Sequence, residues 1–343
     1  MEDLKNKDFT TNPNLKFKEL FKKTDCCFGI NDVFDIYYSH NENNELYLIS
    51  GDINYTISIT RLRDKKLVKS LSTEGKQEIK MIRHFYDKKN NKDYLISSFK
   101  NANIKIWDLS NNYNLIHSKK VDYSQNSIIY SSILYFSENG DFFITSSNCN
   151  ENKDFTKIFN FNDGNFVSNL PDTNRVDIYY MLLWNNNNNN IDYLIQCSHQ
   201  LVLIHNLENK QLFHILRKNG NSTIHNSACI AKNKDGDDYL YVGNVNGLID
   251  VWDLTNFHLK KSIKYFKCYF YHMITWNQRY ILVAEKSNCS FIIIDTLYNR
   301  VISALKEIHK SFVICLKKID HPIYGESLLS SDLNKQIYLW THK

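Results

Sequence analysis

The sequence predicts an all-β fold built from seven small antiparallel sheets. Three observations carry that prediction. A short apolar strand recurs along the chain, a second apolar strand follows each one after a turn, and the repeat length averages about 47 residues. A period of this size made of short strands is that of a propeller blade of about four strands. Helical repeats of similar length would show 3.6-residue periodicity over 10–15 residues, whereas this chain shows short apolar runs and alternation. The expected architecture is therefore a seven-bladed β-propeller with four-stranded antiparallel blades.

The first strand of each recognisable pair reads LYLIS from Leu46, YLISS from Tyr94, FFITS from Phe142 and YLIQC from Tyr193. YLYVG from Tyr239, YILVA from Tyr280 and SLLSS from Ser327 complete the series. Their partners are SITRL from Ser58, KIWDL from Lys105, KIFNF from Lys157, LIHNL from Leu203, DVWDL from Asp250, IIIDT from Ile292 and YLWTH from Tyr338. Aligned on the Trp of KIWDL, the equivalent positions are Thr60, Trp107, Phe159, His205, Trp252, Ile294 and Trp340.

Six residues earlier stand Asn54, Asn101, Lys153, His199, Asn246, Asn288 and Asn334. Asn dominates that column because a tight turn needs a residue that tolerates the left-handed region or bonds its own backbone. The register thus holds at a position that was not used to set it.

An outer strand follows in six repeats: LVKSL from Leu67, LIHSK from Leu115, FVSNL from Phe166, LFHIL from Leu212, HLKKS from His258 and VISAL from Val301. The seventh has none, because the sequence stops just after YLWTH. The alternating segment LKFKELF is the expected substitute, a closing strand at residues 15–21 that caps the edge of the last blade. The expected organisation is a flexible tail at residues 1–14 and one propeller over 15–343. Its blades fall at about 30–71, 78–119, 127–170, 176–216, 226–263, 270–305 and 311–341.

Composition narrows the class. With 43% apolar and 23% charged residues a packed core is expected, and 10 Gly, 3 Pro and 8 Cys exclude collagen-like and disulfide-scaffold readings. No apolar run reaches the roughly 18–20 residues that span a bilayer, and the first residues lack a secretory h-region. A reduced, intracellular setting is expected, cytoplasmic or nuclear. Net charge is +5, from scattered lysine pairs such as Lys88-Lys89 and Lys119-Lys120. That is not the clustered basic stripe of a nucleic-acid binder. The run Asn185 to Asn190 reads as a flexible loop.

IWDL at Ile106 to Leu109, VWDL at Val251 to Leu254, FSENGDFFITSS from Phe136 and LLSSDLNKQIYLW from Leu328 together resemble the WD-repeat β-propellers, over about residues 15–341. The repeats are degenerate. The Trp-Asp pair is intact only at Trp107-Asp108 and Trp252-Asp253, and the Gly-His that precedes each family blade is missing. In the family that His joins a Ser, a Trp and a turn Asp in a buried network. Here Asn mostly replaces the Asp, so apolar packing is expected to dominate.

No catalytic constellation stands out: there is no phosphate-cradling loop, no nucleophile elbow and no HExxH. The expectation is a non-enzyme with no catalytic residues, no cofactor and no metal. Asp235, Asp237 and Asp238 around Gly236 read as a polar hairpin rather than a calcium loop. His199 and His205 read as structural, and adjacent Cys26 and Cys27 near His40 do not make a metal site. Trp184, Tyr271 and Trp276 belong to core or interface, as do Arg63, Arg83, Arg175 and Arg217.

The resemblance implies a protein–protein interaction scaffold or adaptor whose partners, other proteins, dock on loop faces. Carried over by position, the docking residues just ahead of the second-to-third turns are Ile53, Lys100, Asn152, Ser198, Val245, Ser287 and Leu333. Two further classes are a phosphoinositide-binding propeller, against which the lack of an Arg-Arg pair argues, and a ubiquitin-ligase substrate adaptor. Ser110 and Thr255 stand where members of that last type carry Arg.

Overall fold

The computed structural model describes residues 17–23, 34–39, 45–51, 55–64, 66–73, 78–100, 102–121, 128–148, 156–171, 177–199, 201–218, 225–264, 270–276, 278–285, 290–305, 309–321, 325–332 and 337–342. All regular structure among them is β, in seven four-stranded sheets. No helix is long and apolar enough to cross a membrane.

β1 (Phe17–Lys23) precedes the regular series. Blade one is β2 (Phe34–Tyr38), β3 (Leu46–Gly51), β4 (Thr56–Arg61) and β5 (Lys66–Ser72). Blade two is β6 (Ile79–Asp87), β7 (Lys92–Phe99), β8 (Asn103–Asp108) and β9 (Asn114–Lys120). Blade three is β10 (Ile128–Ser137), β11 (Gly140–Asn148), β12 (Thr156–Asn160) and β13 (Phe166–Asn169). Blade four is β14 (Ile178–Asn186), β15 (Ile191–Ser198), β16 (Leu201–Asn206) and β17 (Gln211–Arg217). Blade five is β18 (His225–Lys232), β19 (Asp238–Asn244), β20 (Leu248–Asp253) and β21 (His258–Lys264). Blade six is β22 (Phe270–Trp276), β23 (Tyr280–Glu285), β24 (Ser290–Asp295) and β25 (Arg300–Leu305). Blade seven holds β26 (Val313–His321), β27 (Gly325–Asp332) and β28 (Ile337–His342), and β1 is its fourth strand.

The closing strand is therefore real. It runs antiparallel to β28 from Phe17 opposite His342 to Lys23 opposite Ile337, two residues later than residues 15–21. The tail at 1–14 lies outside the described residues.

The repeat is visible in the hydrogen bonding as well as in the sequence. Each of the seven aligned positions, from Thr60 to Trp340, is buried. In five blades the third and fourth strands slip register immediately before that position, at Ile59/Thr60, Ile106/Trp107, Ile158/Phe159, Val251/Trp252 and Ile293/Ile294. A bulge bends the strand and increases its twist, so the outer edge of each blade turns at the same place.

By proximity the chain forms two compact units. One comprises Met1–Asp25, His199–Val202 and Leu216–Lys343, the other Cys26–Ser198 and Leu203–Ile215. In the second unit, Ile49, Ile57 and Ile59 pack with Leu95 and Trp107 between blades one and two. Ile96, Ile104 and Ile106 meet Phe143 and Phe159 between blades two and three. In the first unit, Tyr241, Ile249 and Val251 meet Ile281, Val283 and Ile292, and Leu282 and Phe291 meet Leu328 and Trp340. Second and third strands are covered on both faces, which is why they read as continuous apolar runs rather than alternating ones. The outer strands are half exposed, with Leu67, Leu115, Phe166 and Phe213 open to solvent.

One expectation needs correction. In blade five the left-handed residue of the second-to-third turn is Gly247 (φ 74°), the one after Asn246, and at the matching positions of blades one and two Tyr55 and Ala102 have φ of 63° and 59°. In blade five the side chain that organises this turn is Asn244, whose Oδ1 accepts from the backbone N–H of Asn246 and Leu248 at 3.0 and 3.1 Å. Only His199 and Asn246 of that Asn-rich column lie among the described residues.

The buried polar network expected to fail in most blades is present in blade seven. His309 Nδ1 lies 3.0 Å from Asp332 Oδ2, and its Nε2 lies 2.7 Å from Ser330 Oγ. Trp340 Nε1 donates to the same hydroxyl at 2.6 Å. The His was missed because Ile308, not Gly, precedes it, and the acid was missed because it stands two residues before Asn334.

Candidate functional site

Any binding surface on such a fold is made of turns, so what fixes the turns fixes the site. At the third-to-fourth turns the residue after each aligned position is Asp108, Asn160, Asn206, Asp253 or Asp295 in blades two to six. Each points its Oδ1 back into the turn. Asp108 accepts from Ser110 and Asn111 at 2.9 and 3.1 Å, and Asp253 from Thr255 and Asn256 at 2.8 and 3.2 Å. Asn160 accepts from Asn162 and Asp163, Asn206 from Glu208 and Asn209, and Asp295 from Leu297. The amide oxygen of Asn does this as well as a carboxylate. The same turn lock is therefore present in blades that lack a Trp-Asp pair.

At the opposite ends of the blades lie the second-to-third turns with the seven carried-over positions. Lys100 is exposed and bridges backbone to Ile128. Val245 is half-buried, and Ser198 is fully buried and presents no side chain to solvent. Ile53, Asn152, Ser287 and Leu333 lie outside the described residues. Of the ring, Lys100 and Val245 are the members that the described structure places at the surface.

At the other end, the first-to-second turns of blades two to four and the third-to-fourth turn of blade four frame a cleft of about 880 Å3 within the second unit. Blade two contributes Phe85 and Tyr86 from the end of β6 and the turn residues Lys88 and Lys89. Blade three contributes Phe136, Ser137, Glu138 and Asn139, and blade four Leu183, Asn185, Asn190, Asp192 and Glu208. Local chemistry makes these walls stiff. Asp87 turns its carboxylate into its own hairpin, accepting from the N–H of Lys89 at 2.9 Å and from Asn90 Nδ2 at 2.6 Å. Tyr135 donates its hydroxyl to Asp192 Oδ2 at 2.9 Å, and Asn185 Nδ2 donates to Asp192 Oδ1 at 2.8 Å. Burial first, then Asp192, pushes the Tyr135 hydroxyl up to about 12, so it stays a donor.

The run Asn185 to Asn190 closes the hairpin between β14 and β15, with Asn185 and Asn190 on one of these walls. Asn190 N–H donates to Asn186 O at 2.7 Å, Asn188 N–H to Asn186 Oδ1 at 3.0 Å, and Ile191 N–H to Asn189 Oδ1 at 3.1 Å. Each Asn oxygen replaces a backbone partner, and Asn190 takes the left-handed conformation with φ 54°.

The remaining sequence candidates are structural. Trp184 is buried against Tyr193 with centroids 5.0 Å apart, and Trp276 is fully buried. His205 is buried and bonds Pro171 O at 2.9 Å. Asp235 and Asp237 donate their N–H groups to Asn233 Oδ1 in a polar hairpin, as expected. Arg83 Nη1 donates to Met181 O at 3.2 Å above the Tyr180 ring. Arg63 pairs with Glu45, and Arg217 is exposed. Cys26, Cys27, His40 and Arg175 lie outside the described residues, as does the Tyr271 side chain. Among the described residues no group of three or more His, Cys, Asp or Glu is placed to hold a metal. Burial pushes the thiols of Cys197 and Cys229 up to about 12, which leaves them unreactive.

The cleft was not legible in the sequence because its residues come from three successive repeats and share no local pattern. The nearest signal was the Asn139-Gly140 turn, at one of its walls.

Comparison with solved structures settles the fold. The chain is a seven-bladed β-propeller. It matches BBS1N in complex with ARL6DN, soaked with lead, at a TM-score of 0.70 and 11% identity, covering 95% of this chain and 97% of that one. The same complex soaked with mercury matches at 0.71 and 11%, with the same coverage. No family model matches the sequence, and no curated protein does.

Proposed function

We propose that this chain is a non-catalytic protein-interaction scaffold of the WD-repeat propeller type, working in the cytoplasm or nucleus. The observation that carries the reading is the set of side-chain-locked turns on hydrogen-bonded blades. They give a rigid frame whose loops form an open, mixed-charge cleft and an exposed rim. Such a frame suits docking, because turn residues can vary without disturbing the buried strands. The His309–Ser330–Asp332–Trp340 network and the Asx locks after the aligned positions support the WD-type assignment. A propeller of the same fold, BBS1N, has been crystallised with a protein partner, ARL6DN.

The test is affinity capture by the full chain, with Lys100→Glu as the first surface variant and Leu333→Asp added to it. Capture of the same proteins by wild type and by the double variant, both folded, counts against the second-to-third rim as the docking face. Failure of wild type to retain any protein under mild conditions counts against the scaffold itself.

A further inference from the structure

We propose that the cleft between the first-to-second hairpins of blades two, three and four takes a basic segment, carrying arginine or lysine, of a partner protein. This rests on the scaffold reading and narrows it to a face and a chemistry. The face is not the second-to-third rim but the opposite end of the blades.

Charge decides the occupant. The chain carries a net +5, yet the cleft lining reverses that sign, with four carboxylates against the two ammonium groups of Lys88 and Lys89. Asp87 spends both oxygens inside its own turn. Glu138 and Glu208 stand exposed on the turns of blades three and four. Asp192 is held by Tyr135 and Asn185, so its carboxylate is oriented before any ligand arrives. A preorganised acceptor of this kind bonds a guanidinium or ammonium without the entropic cost of ordering a free side chain. The excess of carboxylates over ammonium groups in the lining also steers a basic segment to the cleft.

The lining fits the rest of such a side chain. Leu183 is 37% exposed and Phe136 is half-buried, which offers apolar contact for an aliphatic stem. Phe136 and Tyr86 add ring faces over which a guanidinium can lie. The cleft's roughly 880 Å3 lies within the range of ligand-sized clefts and admits two or three side chains. Lys88 and Lys89 on the blade-two side give the site polarity. The basic side chain belongs toward blades three and four, and an acidic neighbour is favoured toward blade two.

The experiment is fluorescence anisotropy at 150 mM salt on the full chain. The probe is a labelled nonapeptide of alternating arginine and glycine, and the control has glutamate in place of each arginine. The basic peptide is expected to bind wild type and to lose at least about tenfold in affinity with Glu138→Lys plus Glu208→Lys. Lys88→Glu plus Lys89→Glu should leave its binding unchanged or tighter. All four positions are exposed turn residues, and an unchanged melting temperature verifies that the variants fold. Undetectable binding of the basic peptide overturns the proposal, and so does unchanged affinity in the Glu138/Glu208 variant. Tighter binding of the acidic control overturns it too, and shows that Lys88 and Lys89 read the ligand instead. If wild type still captures proteins while the peptide fails, the cleft proposal falls and the scaffold reading stands.

Discussion

His309→Ala removes the centre of the one complete polar network described in this chain. The imidazole is fully buried, bonds Asp332 and Ser330, and sits edge-on to Tyr338 with centroids 4.6 Å apart. Ser330 keeps the Trp340 indole, but the Asp332 carboxylate stays buried without the imidazole. Deleting the imidazole loses its hydrogen bond to a carboxylate, about 1.5–3 kcal/mol, one to a hydroxyl, about 1 kcal/mol, and its packing against Tyr338, together about 3–5 kcal/mol. With an unfolding entropy of about 2.1 cal/mol/K per residue, 343 residues give roughly 0.7 kcal/mol/K, so the melting temperature should fall by about 4–7 °C. Guanidinium denaturation of His309→Ala, Asp332→Ala and the double variant completes a cycle. The double variant should be less destabilised than the sum of the singles by at least about 1 kcal/mol, because the His309–Asp332 hydrogen bond is lost only once. Additivity within about 0.5 kcal/mol would refute the coupling and reduce the network to a set of packed side chains.

Deleting residues 1–23 should strip six paired residues from β28 and expose its edge. A loss of several kcal/mol is expected at about 1 kcal/mol per net hydrogen bond, read as a lower melting temperature and faster proteolysis of blade seven; an unaltered melt would contradict the closure. A third prediction concerns pH. Lys317 is half-buried by exposure, and the crowding of protein around its ammonium holds it down to about 7, well below the ordinary lysine range. Between pH 7 and about 9 the unfolded chain therefore binds a proton that the folded chain lacks, and stability rises with pH. Urea midpoints across that window should climb in wild type and flatten in Lys317→Met; parallel slopes would remove Lys317 as the cause. Above about pH 9 the sign reverses, since burial keeps Cys197, Cys229 and Tyr135 protonated to about 12 in the folded state.

The fold was legible because its second and third strands are sandwiched between neighbouring sheets. Such strands must be apolar on both faces, so LIHNL from Leu203 and IIIDT from Ile292 advertise themselves. The first strands escaped notice. Ile79 to Asp87 mixes Ile82, Arg83 and His84 in one run, since some of these side chains are buried and others only half so. Trp-Asp is spelled out in only two repeats, yet Asn160 and Asn206 lock their turns as Asp108 and Asp253 do, because a turn needs a side-chain oxygen and not a charge. The candidate site stayed hidden for a different reason. Glu138 of blade three meets Asp192 and Glu208 of blade four only when successive blades are set side by side, and no spacing rule within a repeat encodes that.

The pairing of β1 with β28 couples the earliest described strand to the latest. On a ribosome adding about 5–20 residues per second, β1 waits roughly 15–60 s for its mate. Throughout that interval the FKELFKK stretch is an orphaned ribbon with ladder groups to share, and any extended chain nearby is a rival for it. Biogenesis of this protein should therefore depend on holding chaperones more than its finished stability would suggest, and a translation stall near the last repeat should be unusually prone to aggregation.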